Sequence, residues 1–185
     1  MDAAPPEEPL TDGVVTLRRW ELGDVAALVD AIDGDPEITN FLELIPQPYR
    51  EAEARLWVDA AAIMWSDRSA APFAVLAEGR VVGGAGINWI DRGDAVGDIG
   101  YWLRRDARGH GYTTRAVLLL ARWAFDVGCE RLQIRADTEN EASMRVAERA
   151  GFQHEGVLRS IRFNPRLGRR MNFALYSLLP AELAS

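Results

Sequence analysis

The 185-residue chain contains no lysine; all 21 of its Lys/Arg positions are arginine. Acylation of its own lysine side chains is therefore excluded, and a GC-rich bacterial genome accounts for such a bias. Cysteine is nearly absent as well. The single Cys129 excludes an internal disulfide framework and fits a reducing cytoplasm, the expected compartment. It follows a helix stop and precedes a strand, a place for a buried small hydrophobe rather than a nucleophile. Only His110 and His154 represent histidine, and no spaced His/Cys/Asp/Glu set suggests a metal site. No secretory apolar segment and no uninterrupted apolar run long enough to span a membrane is present. A basic excess is missing too: 28 acidic against 21 basic residues give a net charge of −7, which argues against binding nucleic acid through its phosphates. An acidic surface suits a cationic acceptor instead.

What is present is enough for one well-filled domain. Hydrophobic residues make up 48% of the chain, and 185 residues are short for two domains. Residues 1–13, rich in Pro, Ala and acids, read as a flexible N-terminal tail. Residues 14–185 read as the domain. Strand patterns fall at residues 14–19, 73–77, 81–90, 97–103, 132–135, 152–163 and 172–179. Helical spacing covers residues 21–32, 50–65, 113–127 and 140–150, with Gly34-Asp35-Pro36 as a stop and residues 37–49 as an irregular stretch. Composition and pattern alone say mixed α and β.

The centre of this order is residues 97–116, which read as strand, glycine-rich turn and helix. Ile99, Tyr101 and Leu103 alternate with less apolar positions. Ala116, Leu119, Leu120, Trp123 and Val127 then share one helix face, and Gly128 stops it. Gly109 and Gly111 let the main chain approach a ligand, and the first turn of the helix leaves N–H groups without intrahelical partners. Those donors and the positive end of the helix dipole suit a phosphate or pyrophosphate. A purely conformational use of glycine in the turn is the plainer alternative. Neither GxxxxGK[ST] nor GxGxxG is present, so the phosphate cradle is of another kind.

Arg108-Gly109-His110-Gly111-Tyr112-Thr113 resembles the Q/R-x-x-G-x-G/A signature of the GCN5-related N-acetyltransferase (GNAT) superfamily, with Thr113 in place of the usual Gly or Ala. Ile99-Gly100-Tyr101-Trp102-Leu103 before it, and Asn140-Glu141-Ala142-Ser143 with Gly151-Phe152 after it, resemble the branch of ribosomal-protein N-terminal (RimJ/RimL-type) acetyltransferases. The resemblance spans about residues 16–179 and is most specific over residues 97–156. It implies an α+β acyl-CoA N-acyltransferase fold with a mixed central sheet of about seven strands, about four helices and splayed central strands. It also implies acetyl-CoA as co-substrate and direct attack of a primary amine in a ternary complex, in a monomer or homodimer.

Residue by residue, the resemblance places the pantetheine arm and the thioester carbonyl against Tyr101, Trp102 and Leu103. The pyrophosphate falls on the turn Gly109, His110, Gly111 and the helix start Tyr112, Thr113, Thr114, with charge from Arg108. Arg104 or Arg105 is expected at the ribose 3′-phosphate, and His110 points to solvent as the variable position of the signature. Asn140 and Ser143 match the family's Asn-x-x-Ser, where Asn contacts the CoA arm and Ser lies near its sulfur, although Asn is also a preferred N-cap without any ligand. The tyrosine acid of many relatives is replaced by Ala147, so Ser143 is the candidate donor to the departing thiolate. Asp98 is the first candidate base. Glu43, in the proline-flanked loop, is its rival or a binder of the substrate ammonium; a solvated surface role is open for both. Of the tryptophans, Trp57, Trp65 and Trp89 read as core by default, with Trp65 or Trp89 as candidates to line an acceptor pocket. The loop 164–172 is expected on the acceptor side, and Asn172 stands where relatives often have Asp. The acceptor read from the branch is a protein N-terminal amine. The alternatives are a small amine (aminoglycoside, polyamine or amino acid) or a non-catalytic acyl-CoA-binding module.

Overall fold

The computed structural model describes residues 4–42 and 45–183. Eight strands form one sheet: β1 (Leu10–Thr11), β2 (Val15–Arg19), β3 (Ala71–Ala77), β4 (Arg80–Asp91), β5 (Val96–Leu103), β6 (Arg131–Asp137), β7 (Gln153–Asn164) and β8 (Arg169–Leu178), in the order β1-β2-β3-β4-β5-β6-β8-β7. Five helices accompany them: α1 (Val25–Ile32), α2 (Pro36–Phe41), α3 (Glu51–Asp67), α4 (Tyr112–Asp126) and α5 (Glu141–Arg149). Neighbouring strands run antiparallel except β5 and β6, which are parallel and are joined across the sheet by α4.

Each helix covers the sheet for a reason visible in its residues. The stripe Ala116, Leu119, Leu120 and Trp123 of α4 is buried against the sheet, and Ala147 of α5 joins the same core. Trp65, Phe73 and Trp123 meet there edge to face with centroids 4.9–5.8 Å apart, a geometry worth roughly 0.5–1.5 kcal/mol per pair beyond area burial. Trp20, Leu28, Ile32, Ile38, Tyr49, Ala54 and Val58 build a second core under α1, α2 and α3 on the other face. The sheet is thus sandwiched, and strand alternation assigns successive β5 residues to opposite cores.

Two elements differ from the sequence reading. Asp35-Pro36 stops α1 and also opens α2: the Asp35 carboxylate accepts from the Glu37 N–H at 3.0 Å, and Pro36 takes the first helical position. The stretch 37–49 therefore begins as a helix. In the segment read as a tail, Leu10 and Thr11 pair with Leu17 and Thr16, and Asp12 ties the following turn to Arg115 of α4 at 2.8 Å.

The feature that positions the site is the end of the parallel pairing. β5 and β6 are in register from Val96↔Arg131 to Ile99↔Ile134 and then part. Beyond that point Gly100, Tyr101, Trp102 and Leu103 keep only their β4 partners, so the sheet opens between β5 and β6. The expected splay of the central strands is present.

Candidate active site

A cleft of about 560 Å³ runs through this opening. On the α4/α5 side it is bordered by Tyr101, Ile134, Asn140, Ser143 and Thr113; on the other side by Trp20, Trp57, Asn88, Asp98, Trp102 and Phe173. Because the opening connects both faces of the sheet, two molecules can enter from opposite sides and meet at β5.

The α4 end of the cleft is built by backbone geometry. Gly109 and Gly111 have φ of +82° and +77°, the left-handed region that costs other residues strain. The helix ladder starts with the Arg115 N–H donating to the Gly111 carbonyl, which leaves the N–H groups of Tyr112, Thr113 and Thr114 outside it. This is the geometry of an anion cradle.

The side-chain charges around the cradle are arranged differently from the sequence reading. The Arg108 guanidinium turns inward: it donates to Asp35 at 2.6 Å, to Glu37 at 2.8 Å and to the Leu103 carbonyl at 2.9 Å and 3.1 Å. Its charge is met by the two carboxylates at the start of α2. Arg104 is likewise committed, to Asp106 at 2.5 Å and Asp30 at 2.8 Å. Arg105 stays largely exposed, with Asp35 3.9 Å away. Three further arginines, Arg115, Arg122 and Arg149, border a second, open groove of about 560 Å³ that begins at Gly111 and Thr114, with Asp12 in its lining paired to Arg115 at 2.8 Å. Among the described residues Arg122 and Arg149 meet no carboxylate. The seven-residue spacing of Arg115 and Arg122 puts both on one face of α4, a signal legible on a helical wheel.

At the α5 end, Asn140 is the N-cap: its side chain accepts from the Ser143 N–H at 3.1 Å while it also borders the cleft. The Tyr101 hydroxyl lies 3.0 Å from both the Ser143 carbonyl and its Oγ. Burial pushes the Tyr101 phenol up to about 12, so it stays protonated at neutral pH and holds Ser143 against β5.

Across the sheet, Asp98 is buried, and its Oδ2 accepts from Arg135 at 2.7 Å and Gln133 at 3.1 Å. Among the described residues no donor reaches Oδ1, so the carboxylate is fixed through one oxygen and has the other available. Glu43 lies outside the described residues. Trp65 is in the α4-side core and Trp89 is half exposed outside the cleft; the tryptophans that border it are Trp20, Trp57 and Trp102, with Trp20 and Trp102 stacked at 6.3 Å. Cys129 is buried, with its thiol against the Ala95 and Arg131 carbonyls and its pKa pushed up by burial, as expected of a structural residue. His110 stacks on Tyr112 at 5.5 Å, at the exposed tip of the cradle.

A clasp joins the β7–β8 turn to α2 beside the cleft. Asn164 is fully buried, donates to the Asn40 carbonyl at 2.7 Å, and accepts from the Arg166 and Leu167 N–H groups at 2.9 and 3.1 Å. Arg166 donates to the Thr39 and Ile45 carbonyls. The β7–β8 turn thus holds the end of α2 as a wall. Asn172 anchors the Ser160 N–H at 2.8 Å, a role in strand shape. Asn164→Ala leaves buried backbone groups unpaired and is expected to cost about 1–3 kcal/mol. In thermal denaturation and steady-state kinetics, a lower Tm and a raised acceptor KM are expected, with the acyl-donor KM unchanged.

An N-acetyltransferase domain model, described as Acetyltransferase (GNAT) domain, matches residues 15–153. The chain belongs to the GNAT acetyltransferase family. It is accordingly an acyltransferase acting on nitrogen. Among relatives, the N-acetyltransferase p20 of Bacillus licheniformis, itself uncharacterised, is 29% identical over 173 residues, covering 92% of this chain and 95% of p20. YdaF of Bacillus subtilis (strain 168), provisionally named a ribosomal N-acetyltransferase, is 27% identical over 175 residues, 91% of this chain and 92% of YdaF. The structure of RimL, a ribosomal L7/L12 alpha-N-protein acetyltransferase in complex with coenzyme A, shares the fold with a TM-score of 0.81 at 20% identity, over 93% of this chain and 98% of RimL. Among the described residues of this acetyltransferase no group of three or more His, Cys, Asp or Glu could hold a metal ion, and no helix is long and apolar enough to cross a membrane.

Proposed function

We propose that this acetyltransferase moves the acetyl group of acetyl-CoA to a protein N-terminal amine by direct attack within the through-sheet cleft. The observation that carries the reading is the parting of β5 and β6 beside the glycine cradle. An extended arm running from the α4 N-terminus into the opening has unpaired β5 backbone to bind, and its thioester then faces the Asp98 side of the sheet.

The pyrophosphate sits on the N–H groups at the start of α4, and the 3′-phosphate falls on Arg122 and Arg149 in the neighbouring groove, where Arg115 is already held by Asp12. The neutral amine enters between Trp102, Phe173 and the α2 wall. Its nitrogen attacks the thioester carbonyl carbon; the N–C bond forms as the C–S bond breaks, and the sulfur leaves with the bonding pair. The amine proton passes to Oδ1 of Asp98, which releases it to solvent; the Ser143 hydroxyl, backed by Tyr101, hydrogen-bonds the departing thiolate, which takes its proton from solvent water. Support for a protein N-terminus comes from the names of YdaF and RimL and from the acidic surface, which suits basic ribosomal proteins.

The test is CoA release from acetyl-CoA, read by thiol detection, with peptides of different N-termini, aminoglycosides, polyamines and amino acids as acceptors. Saturable turnover on peptides alone is expected. Turnover on a small amine alone moves the acceptor assignment, and acetyl-CoA binding without turnover on any amine marks a binding module. Arg122→Ala combined with Arg149→Ala is expected to raise the acetyl-CoA KM about 10-fold or more while leaving that for acetyl-dephospho-CoA nearly unchanged; equal effects on both donors would remove the 3′-phosphate from that groove.

A further inference from the structure

The pairing of β4 with β5 carries an irregularity at the border of the cleft. Ile87 faces Ile99 and Trp89 faces Asp98, which leaves Asn88 as an extra residue opposite the Asp98–Ile99 step. Such a bulge bends the strand and re-aims a side chain, here onto the α1–α3 side where the acceptor enters. The Asn88 amide borders the cleft and lies over Gly100. A Cβ at Gly100 would stand 2.0 Å from Asn88 Nδ2 and 3.3 Å from its Oδ1, so the niche exists because residue 100 has no side chain. Asn88 is exposed, and among the described residues no protein group hydrogen-bonds its amide, so its two donors and its acceptor are open to the cleft and solvent. It is adjacent to Asp98, itself held from behind by Arg135 and Gln133.

We propose that Asn88 orients the attacking amine: its Oδ1 accepts one N–H of the acceptor, which leaves the second N–H toward Asp98 Oδ1 and the nitrogen lone pair toward the thioester in the β5/β6 opening. Gly100 is the companion of that role, because it gives the amide its place. The inference rests on the proposed through-sheet transfer and adds a residue that touches the acceptor. It has no proton to give or take in the reaction and acts by geometry alone.

The test uses the full chain, acetyl-CoA and the tetrapeptide Ser-Ala-Ala-Arg. Asn88→Ala is expected to lower kcat/KM for the peptide by about 10- to 100-fold, the loss of one hydrogen bond to the reacting group, with acetyl-CoA affinity unchanged by calorimetry. Asn88→Asp, which keeps an accepting oxygen, is expected to recover part of the loss. Gly100→Ala, which displaces the amide, is expected to impair the peptide reaction in the wild-type background but to add nothing in the Asn88→Ala background. Peptide kcat/KM unchanged in Asn88→Ala, or an equal loss of acetyl-CoA affinity, overturns the inference while leaving the transfer reading in place. Absence of wild-type turnover on the peptide overturns both.

Discussion

Asp98→Asn is expected to lower kcat by roughly 10²- to 10⁴-fold, the range for loss of a positioned general base, with the acetyl-CoA KM little changed. Asparagine has nearly the same shape and its carbonyl oxygen can still accept from Arg135 and Gln133, which hold Asp98 at 2.7 and 3.1 Å. The substitution therefore removes proton-accepting capacity and keeps the scaffold. Stability should fall only slightly, because the Arg135 side chain is 41% exposed and such a pair contributes little, on the order of 1 kcal/mol or less. Steady-state kinetics with both substrates varied decide the matter. A raised acceptor KM with kcat intact would make Asp98 a binding residue and return the proton to another group.

Arg108→Ala is expected to act on the fold first. Asp35 is 7% exposed and has Arg108 at 2.6 Å, with Arg105 a distant 3.9 Å. Removing one partner of a fully buried pair costs about 3–5 kcal/mol; Arg108 is itself 27% exposed, which lowers the expectation to about 2–3 kcal/mol. The Leu103 carbonyl and the α2 N-terminus lose their tie to the cradle at the same time. A fall in Tm of roughly 5–10 °C is expected, with acetyl-CoA affinity reduced no more than the loosened cradle requires. An unchanged Tm with sharply weaker acetyl-CoA binding would return Arg108 to the phosphate, where its place in the signature had put it.

That contrast shows which parts of the site were legible in the chain. The strand, turn and helix of residues 97–127 follow from local periods and from Gly109 and Gly111, whose positive φ values belong to the turn itself. Asn140 as a cap is local as well. The direction of the Arg108 side chain depends on Asp35 and Glu37, far away in sequence, and no pattern around residue 108 contains that information. The same holds for the tryptophans: Trp65 and Trp102 are alike as residues, and only the sheet faces they land on send one to the core and the other to the cleft. Asp35-Pro36 was readable as a helix start from its N-cap and first-position chemistry, but its stop signal for α1 took precedence. The bulge at Asn88 is a mismatch between two strands and has no one-strand signature.

The central claim is that donor and acceptor meet in one cleft through the opened sheet. A conjugate joining the CoA sulfur through an acetyl bridge to the N-terminus of Ser-Ala-Ala-Arg tests this directly by calorimetry. Tethering turns the second binding event into an intramolecular one, so the conjugate is expected to bind about 100-fold or more tightly than CoA alone, with the gain reduced in Asn164→Ala. A conjugate that binds no better than CoA would contradict the account, because the peptide would then have no site on the far side of β5.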